Sequence, residues 1–240
     1  GHSFRVADSC LMLARAVNRA TEGPLAELDF SDAELRELEY AALLHDFGKV
    51  YIEAAVFTKS KKLYSSDFLT LMLRLSLLYR DIEIRALRRA WETSNHGILD
   101  EDQKKLDRIR QIMAMVTAMN EPSVTDCDPE AQVQLILSWA EELRGFDLEG
   151  RQIQLLTPEE IRNLAIRRGT LNADERRIIE SHVTYTYDFL SKIPWPEELK
   201  NIPDIAGKHH EMLDGSGYPL HIKGPQQISW QSRIIAIADV

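Results

Sequence analysis

The chain has 240 residues, 44% hydrophobic and 28% charged, which suffices for one large or two small domains with a real core and excludes a disordered or collagen-like chain. The net charge of −9 argues against a nucleic-acid polymer as partner, since that needs a basic footprint, but permits a small anion held through metal ions. The apolar stretch from Phe68 to Tyr79 is too short to span a bilayer and carries Arg74, so no membrane segment is expected. No secretory signal is visible, and Cys10 and Cys127 suggest no disulfide framework, so a cytoplasmic setting is expected. The chain opens at Gly1 and stops at Val240 inside an apolar run. It therefore reads as a piece of something longer, with sensory domains expected outside it.

In chain order the signals are helix after helix. Ser31 to Glu34 has the capping-box pattern, followed by Leu35, Leu38, Ala42 and Leu43 at helical spacing. Leu106, Ile109, Met113 and Val116 form one face of another helix, and residues 120–129 form a loop dense in turn formers. Asp128 and Pro129 start a helix through Val133, Ile136, Leu137, Ala140 and Leu143 that Gly145 is expected to stop. Thr157 to Glu160 and Asn172 to Glu175 are two further starts. No period-two alternation is backed by hairpin turns, so the expected fold class is all-α.

Four places carry chemistry. His45 and Asp46 close an apolar helix, where they can ligate one metal together and leave the carboxylate free to bridge to a second. Gly48 is expected to end that helix, and Lys49 can meet an anion. A lone His-Asp pair is equally a helix-terminal histidine beside a solvated aspartate. His182 lies on an inward stripe with Ile178, Ile179, Val183, Phe189 and Leu190, which suits either a core histidine or a metal ligand. His209 and His210 are consecutive, and neighbours on a helix diverge by about 100°, so they can embrace one ion only at a helix edge or end. The run Asp214, Gly215, Ser216, Gly217, Tyr218, Pro219 that follows is turn chemistry carrying an aromatic ring. Asp239, one turn after Ile235 on an apolar helix, needs a cation or strong donors if it is buried.

Taken together, these segments resemble the HD-GYP family of cyclic di-GMP phosphodiesterases, a branch of the HD-type metal phosphohydrolases. The matching segments run from Gly1 to Val6, Leu44 to Lys49, Leu171 to Val183, and His209 through Pro219 to Val240, about half the chain. The resemblance implies an HD-domain helical bundle formed by residues 1–50 and 169–240, with residues 51–168 as a long helical insertion. It implies that His45, Asp46 and Asp239 hold one divalent ion, with His2 as a further ligand, and that Asp46, His182, His209 and His210 hold the second. Iron or manganese suits such donors best, and a third ion stays open. Activity would be hydrolysis of a cyclic dinucleotide by a metal-bridging hydroxide, with cyclic di-GMP going to the linear pGpG or to GMP, and a mixed guanine–adenine cyclic dinucleotide left equally open as substrate. Lys49 would stabilise phosphoryl charge, and Gly217, Tyr218 and Pro219 would shape the substrate pocket. The alternative is a catalytically weak cyclic-dinucleotide sensor. The insertion is a candidate for homodimerisation.

Overall fold

The computed structural model describes residues 1–93, 97–123, 127–147 and 149–239. Part of the expected 120–129 loop, residues 124–126, and the terminal Val240 lie outside these. Among the described residues there are ten α-helices and no strand, so the all-α expectation holds. No helix among them is long and apolar enough to cross a membrane. The contacts divide the chain into two compact units, Gly1–Phe57 with Glu175–Val240, and Thr58–Asp174.

The first unit contains α1 (His2–Val17), α2 (Asp32–Leu44), the short α3 (Ala54–Phe57), nearly all of α8 (Ala173–Leu190), α9 (Ile202–Gly207) and α10 (Trp230–Ala238). Helix α1 forms because Val6, Cys10 and Ala14 recur every four residues and pack on Leu38, Ala41 and Ala42 of α2. The Ser31 hydroxyl accepts the Glu34 N–H at 3.3 Å while the Glu34 carboxylate accepts the Ser31 N–H at 2.8 Å, as the capping box requires. Buried Glu37 on α2 reaches the start of α9, where its carboxylate accepts the Asn201 backbone N–H at 2.8 Å. Ile202, Ile205 and Ala206 complete the core with Ile234 and Ile235.

Helix α2 ends before Gly48, contrary to the sequence expectation. Its last residue is Leu44, His45 is the C-cap, and Gly48 lies inside a 3₁₀ turn over Phe47–Tyr51. Gly48 is there because a Cβ would sit 1.9 Å from the His182 carbonyl oxygen, so its role is close approach to α8 rather than helix termination. Ile178 is a second correction. It is 44% exposed, at the margin of the buried stripe that carries His182 and Val183 rather than within it.

The second unit contains α4 (Ser65–Glu92), α5 (Asp100–Met119), α6 (Pro129–Ser138) and α7 (Pro158–Leu164). Leu71, Leu75, Leu78 and Ile82 of α4 pack with Leu106, Ile109, Ile112 and Val116 of α5. The pairs Arg89–Asp102 and Tyr79–Arg110 make these two helices antiparallel. Helix α6 ends at Ser138, not at Gly145, because the N–H groups of Trp139, Ala140 and Glu142 bond to the third residue back instead of the fourth. Gly145 instead lets its backbone approach α4, where a Cβ would meet Leu78 at 2.4 Å. The Thr157–Glu160 capping box forms, and the Glu160 carboxylate also pairs with Arg74.

Candidate metal centre

Every residue proposed from the sequence as a metal ligand stands in the first unit, at or just beyond a helix end or facing one. His45 is the C-cap of α2, Asp46 opens the 3₁₀ turn, and Asp239 is the C-cap of α10. His2 is the first residue of α1. His182 projects from the middle of α8, and His209 and His210 lie in the turn after α9. Being past the helix end removes the divergence that keeps adjacent side chains apart, and their ring centroids lie 4.0 Å from each other.

The donors gather into two groups, His2 with His45, Asp46 and Asp239, and His182 with His209 and His210, each with its ligand atoms within 4.8 Å of one another. In the first, His45 Nε2 lies 3.1 Å from Asp239 Oδ1 and 3.3 Å from Asp46 Oδ2, while His2 Nε2 lies 2.8 Å from Asp239 Oδ1. The other oxygen of Asp46, Oδ1, faces the second group at 3.3 Å from His182 Nε2. One carboxylate thus presents one oxygen to each group.

The imidazoles share one orientation device. Nδ1 of His45, His182 and His209 lies 2.6, 2.5 and 2.6 Å from the carbonyl oxygens of Ala42, Ile179 and Ala206, in each case three residues back. A ring that donates from Nδ1 turns Nε2 inward, the arrangement by which metal-binding histidines are held. His182 Nε2, His209 Nε2 and Asp46 Oδ1 are buried and have no hydrogen-bond partner. Buried polar atoms are normally satisfied, so three convergent orphans fit a cation. The donor set, neutral imidazole with carboxylate, suits a divalent transition metal.

The electrostatics of the second group agree with that fit. Burial, then neighbouring His210 and His45, pushes His209 down to about 3. Burial and His182 push His210 down to about 4, so both rings are neutral ligands at ordinary pH. At His45 burial favours the neutral ring, but the hydrogen bonds to Asp239 and Asp46 outweigh it and raise the ring to about 9. Burial likewise opposes ionisation of Asp46 and Asp239. Their imidazole partners, and Lys49 at Asp46, hold both carboxyls well below the usual range.

Lys49 Nζ lies 2.5 Å from Asp46 Oδ2 with the side chain 40% exposed, so it stands beside the carboxylate at the mouth of the site. Tyr218 stacks on His210 with ring centroids 4.7 Å apart, and its N–H donates to the His210 carbonyl at 3.1 Å. Gly217 allows this fold-back, because a Cβ there would meet Met212 N at 2.3 Å and His210 O at 2.4 Å. Pro219 follows, at the edge of a separate cavity behind the turn.

Two further residues position the site and were not nominated from the sequence. Thr186, fully buried one turn after His182, donates to the His45 carbonyl at 3.1 Å and accepts the Gly48 N–H at 2.8 Å, tying α2 to α8. Glu211, directly after the histidine pair, is buried and accepts the Leu220 and Ile222 N–H groups at 2.6 and 2.9 Å. The signal for Thr186 is its four-residue spacing from His182. For Glu211 it is a carboxylate between two ligands and a glycine turn.

Two imidazole groups joined by one carboxylate on an all-α frame define an HD-type metal site. A family model described as HD domain matches residues 1–156, and a second of the same description matches 152–240. The chain belongs to the HD-domain family, whose members depend on metal, and its motifs place it in the HD-GYP branch. It is similar to 3′3′-cGAMP-specific phosphodiesterase 1 of Vibrio cholerae, 42% identical over 87 residues, 36% of this chain and 19% of that protein. It is also similar to 3′3′-cGAMP-specific phosphodiesterase 3 of the same organism, 40% identical over 72 residues, 30% and 15% respectively. Cyclic di-GMP phosphodiesterase response regulator RpfG of Xanthomonas campestris pv. campestris is 33% identical over 108 residues, 42% and 28%. The chain thus spans less than a third of the length of these curated relatives. No solved structure gives a significant match.

Proposed function

We propose that the unit made of residues 1–57 and 175–240 is a metal-dependent phosphodiesterase that opens a 3′,3′-linked purine cyclic dinucleotide, and that residues 58–174 are a helical insertion in it. The observation that carries this reading is the placement of Asp46, with one oxygen toward each imidazole group and Oδ1, His182 Nε2 and His209 Nε2 left buried without partners. In this reading His2, His45, Asp46 and Asp239 hold one divalent ion and Asp46, His182, His209 and His210 the other. Such an ion pair, when bound, supplies an activated water and neutralises phosphoryl charge. The chain's own residues do the rest. The three Nδ1–carbonyl hydrogen bonds keep the ligand nitrogens aimed before substrate arrives, so little reorganisation is needed. Lys49, exposed at the mouth, meets the anionic phosphodiester. Tyr218 has one ring face on His210, which leaves the other for a purine. The names of the relatives, three 3′3′-cGAMP and two cyclic di-GMP phosphodiesterases, support the substrate class.

The test is metal content and turnover of protein purified without oxygen, beside a His45→Ala, Asp46→Ala variant. About two equivalents of metal, lost in the variant together with hydrolysis of cyclic di-GMP or 3′3′-cGAMP, is the expected result. Protein that takes up neither Fe(II) nor Mn(II), or a variant that hydrolyses either nucleotide at the parent rate, refutes the proposal. Chromatography of the products distinguishes the linear dinucleotide from two mononucleotides.

A further inference from the structure

Helix α4 has two apolar faces. One is the core face already described, and α5 covers it. On the opposite side Leu73, Leu77, Ile84, Leu87 and Trp91 are all exposed, from 45% at Leu77 to 87% at Trp91. With Arg80 between them, these positions are spaced alternately four and three residues apart. That is the a/d repeat of a two-stranded coiled coil. Scattered exposed leucines need no explanation, but a straight row on one helix forms a contiguous patch of the kind that marks an interface.

We propose that this face is a dimer interface, with α4 of a second copy of the chain packed parallel to it about a two-fold axis. Three observations point to the same helix as the occupant. A heptad row is self-complementary, so a symmetry axis along it puts each position opposite its equivalent. The row from Leu73 to Trp91 runs about 27 Å at the rise of an α-helix. Five large side chains with their flanks approach the roughly 800 Å² per partner of a standard interface. The flanking charges choose the direction. A parallel pairing sets Glu83 beside Arg88 of the other copy and Ser76 beside Asp81, so the flanking positions hold no like pair, and the one like pair, Arg80 facing Arg80 within the row, is offset by the Glu83 carboxylate that each arginine already carries. An antiparallel pairing centred on the row sets Glu83 against Glu83, Asp81 against Asp81 and Arg74 against Arg88. Arg80, the polar residue within the row, is paired with Glu83 at 2.5 Å, and a single polar core position fixes register. A groove of about 480 Å³ flanks the row where Leu73 and Leu77 meet Asp147, Arg151 and Ile153, giving the edge of a partner helix a seat. The proposal is independent of the metal centre, since every residue in it belongs to the second unit.

Sedimentation equilibrium of the whole chain tests it. The expected result is a dimer at micromolar concentration, with Leu77→Glu combined with Ile84→Glu raising the dissociation constant at least about 100-fold. Both substitutions are on exposed positions, so helical circular dichroism should be retained. In a Cys127→Ser background, Ile84→Cys should form a symmetric intermolecular disulfide, because equivalent residues of a parallel pair face each other. Cys10 is buried and does not compete. A chain that stays monomeric, or a dimer indifferent to the double substitution, overturns the proposal. A dimer that dissociates on that substitution but does not cross-link through residue 84 overturns the parallel arrangement.

Discussion

Replacing Gly48 with alanine probes whether the approach of the 3₁₀ turn to α8 builds the metal site. A Cβ at this position would lie 1.9 Å from the His182 carbonyl oxygen and 2.7 Å from the Thr186 backbone nitrogen, whereas ordinary contact begins near 3.4 Å. Both obstacles are backbone, so no rotamer change relieves the clash, and the turn must retreat by about 1.5 Å, the difference between contact and clash. That retreat breaks the 2.8 Å bond from Gly48 N–H to the Thr186 hydroxyl and carries Asp46, two residues earlier, away from His182. Overpacking of this kind costs about 1–3 kcal/mol, and a lost buried hydrogen bond adds about 1–3. At about 2–4 °C per kcal/mol, a combined cost of about 2–6 kcal/mol should lower the melting transition of this unit by roughly 4–24 °C. Metal sites tolerate shifts of only about 0.2 Å, so the site should also lose metal. Calorimetry with metal analysis reads both effects. Gly48→Ala protein with full metal content and an unchanged transition would show that the close approach is incidental. Thr186→Val, which removes the hydroxyl without adding bulk to the turn, should lower metal affinity about 10–100-fold through the same tether.

Glu211→Gln should leave metal content unchanged while weakening substrate binding, because one of the two backbone donors from Leu220 and Ile222 loses its charged acceptor and the Tyr218 loop loosens. The expected cost is about 1–3 kcal/mol, and loss of bound metal in this variant would mean that Glu211 acts on the ligands instead. Metal-free protein should be most stable near pH 6.5. His209 and His210 are depressed to about 3 and 4, so they bind fewer protons folded than unfolded, and the stability they contribute is lost as pH falls below 6.5. His45 is raised to about 9, so its contribution is present below 6.5 and lost as pH rises toward 9. A melting temperature of the metal-free chain that climbs steadily from pH 6.5 to 9 would refute this assignment.

What could be read without coordinates was whatever short-range chemistry encodes. Ser31 with Glu34 and Thr157 with Glu160 announce helix starts because a cap is satisfied within three residues. The all-α class follows from helical periodicity, and family membership from motifs such as the histidine pair before Gly217 and Tyr218. Helix ends were less legible. Gly48 and Gly145 look like stop signals, but each is small for the sake of a distant segment, α8 in one case and α4 in the other. Tertiary structure alone decided that the two oxygens of Asp46 face different imidazole groups, since one oxygen meets the adjacent His45 while the other meets His182, 136 positions further along the chain. It also decided which of the two apolar faces of α4 is covered. Periodicity records that both are apolar, and only the packing of α5 leaves one of them open.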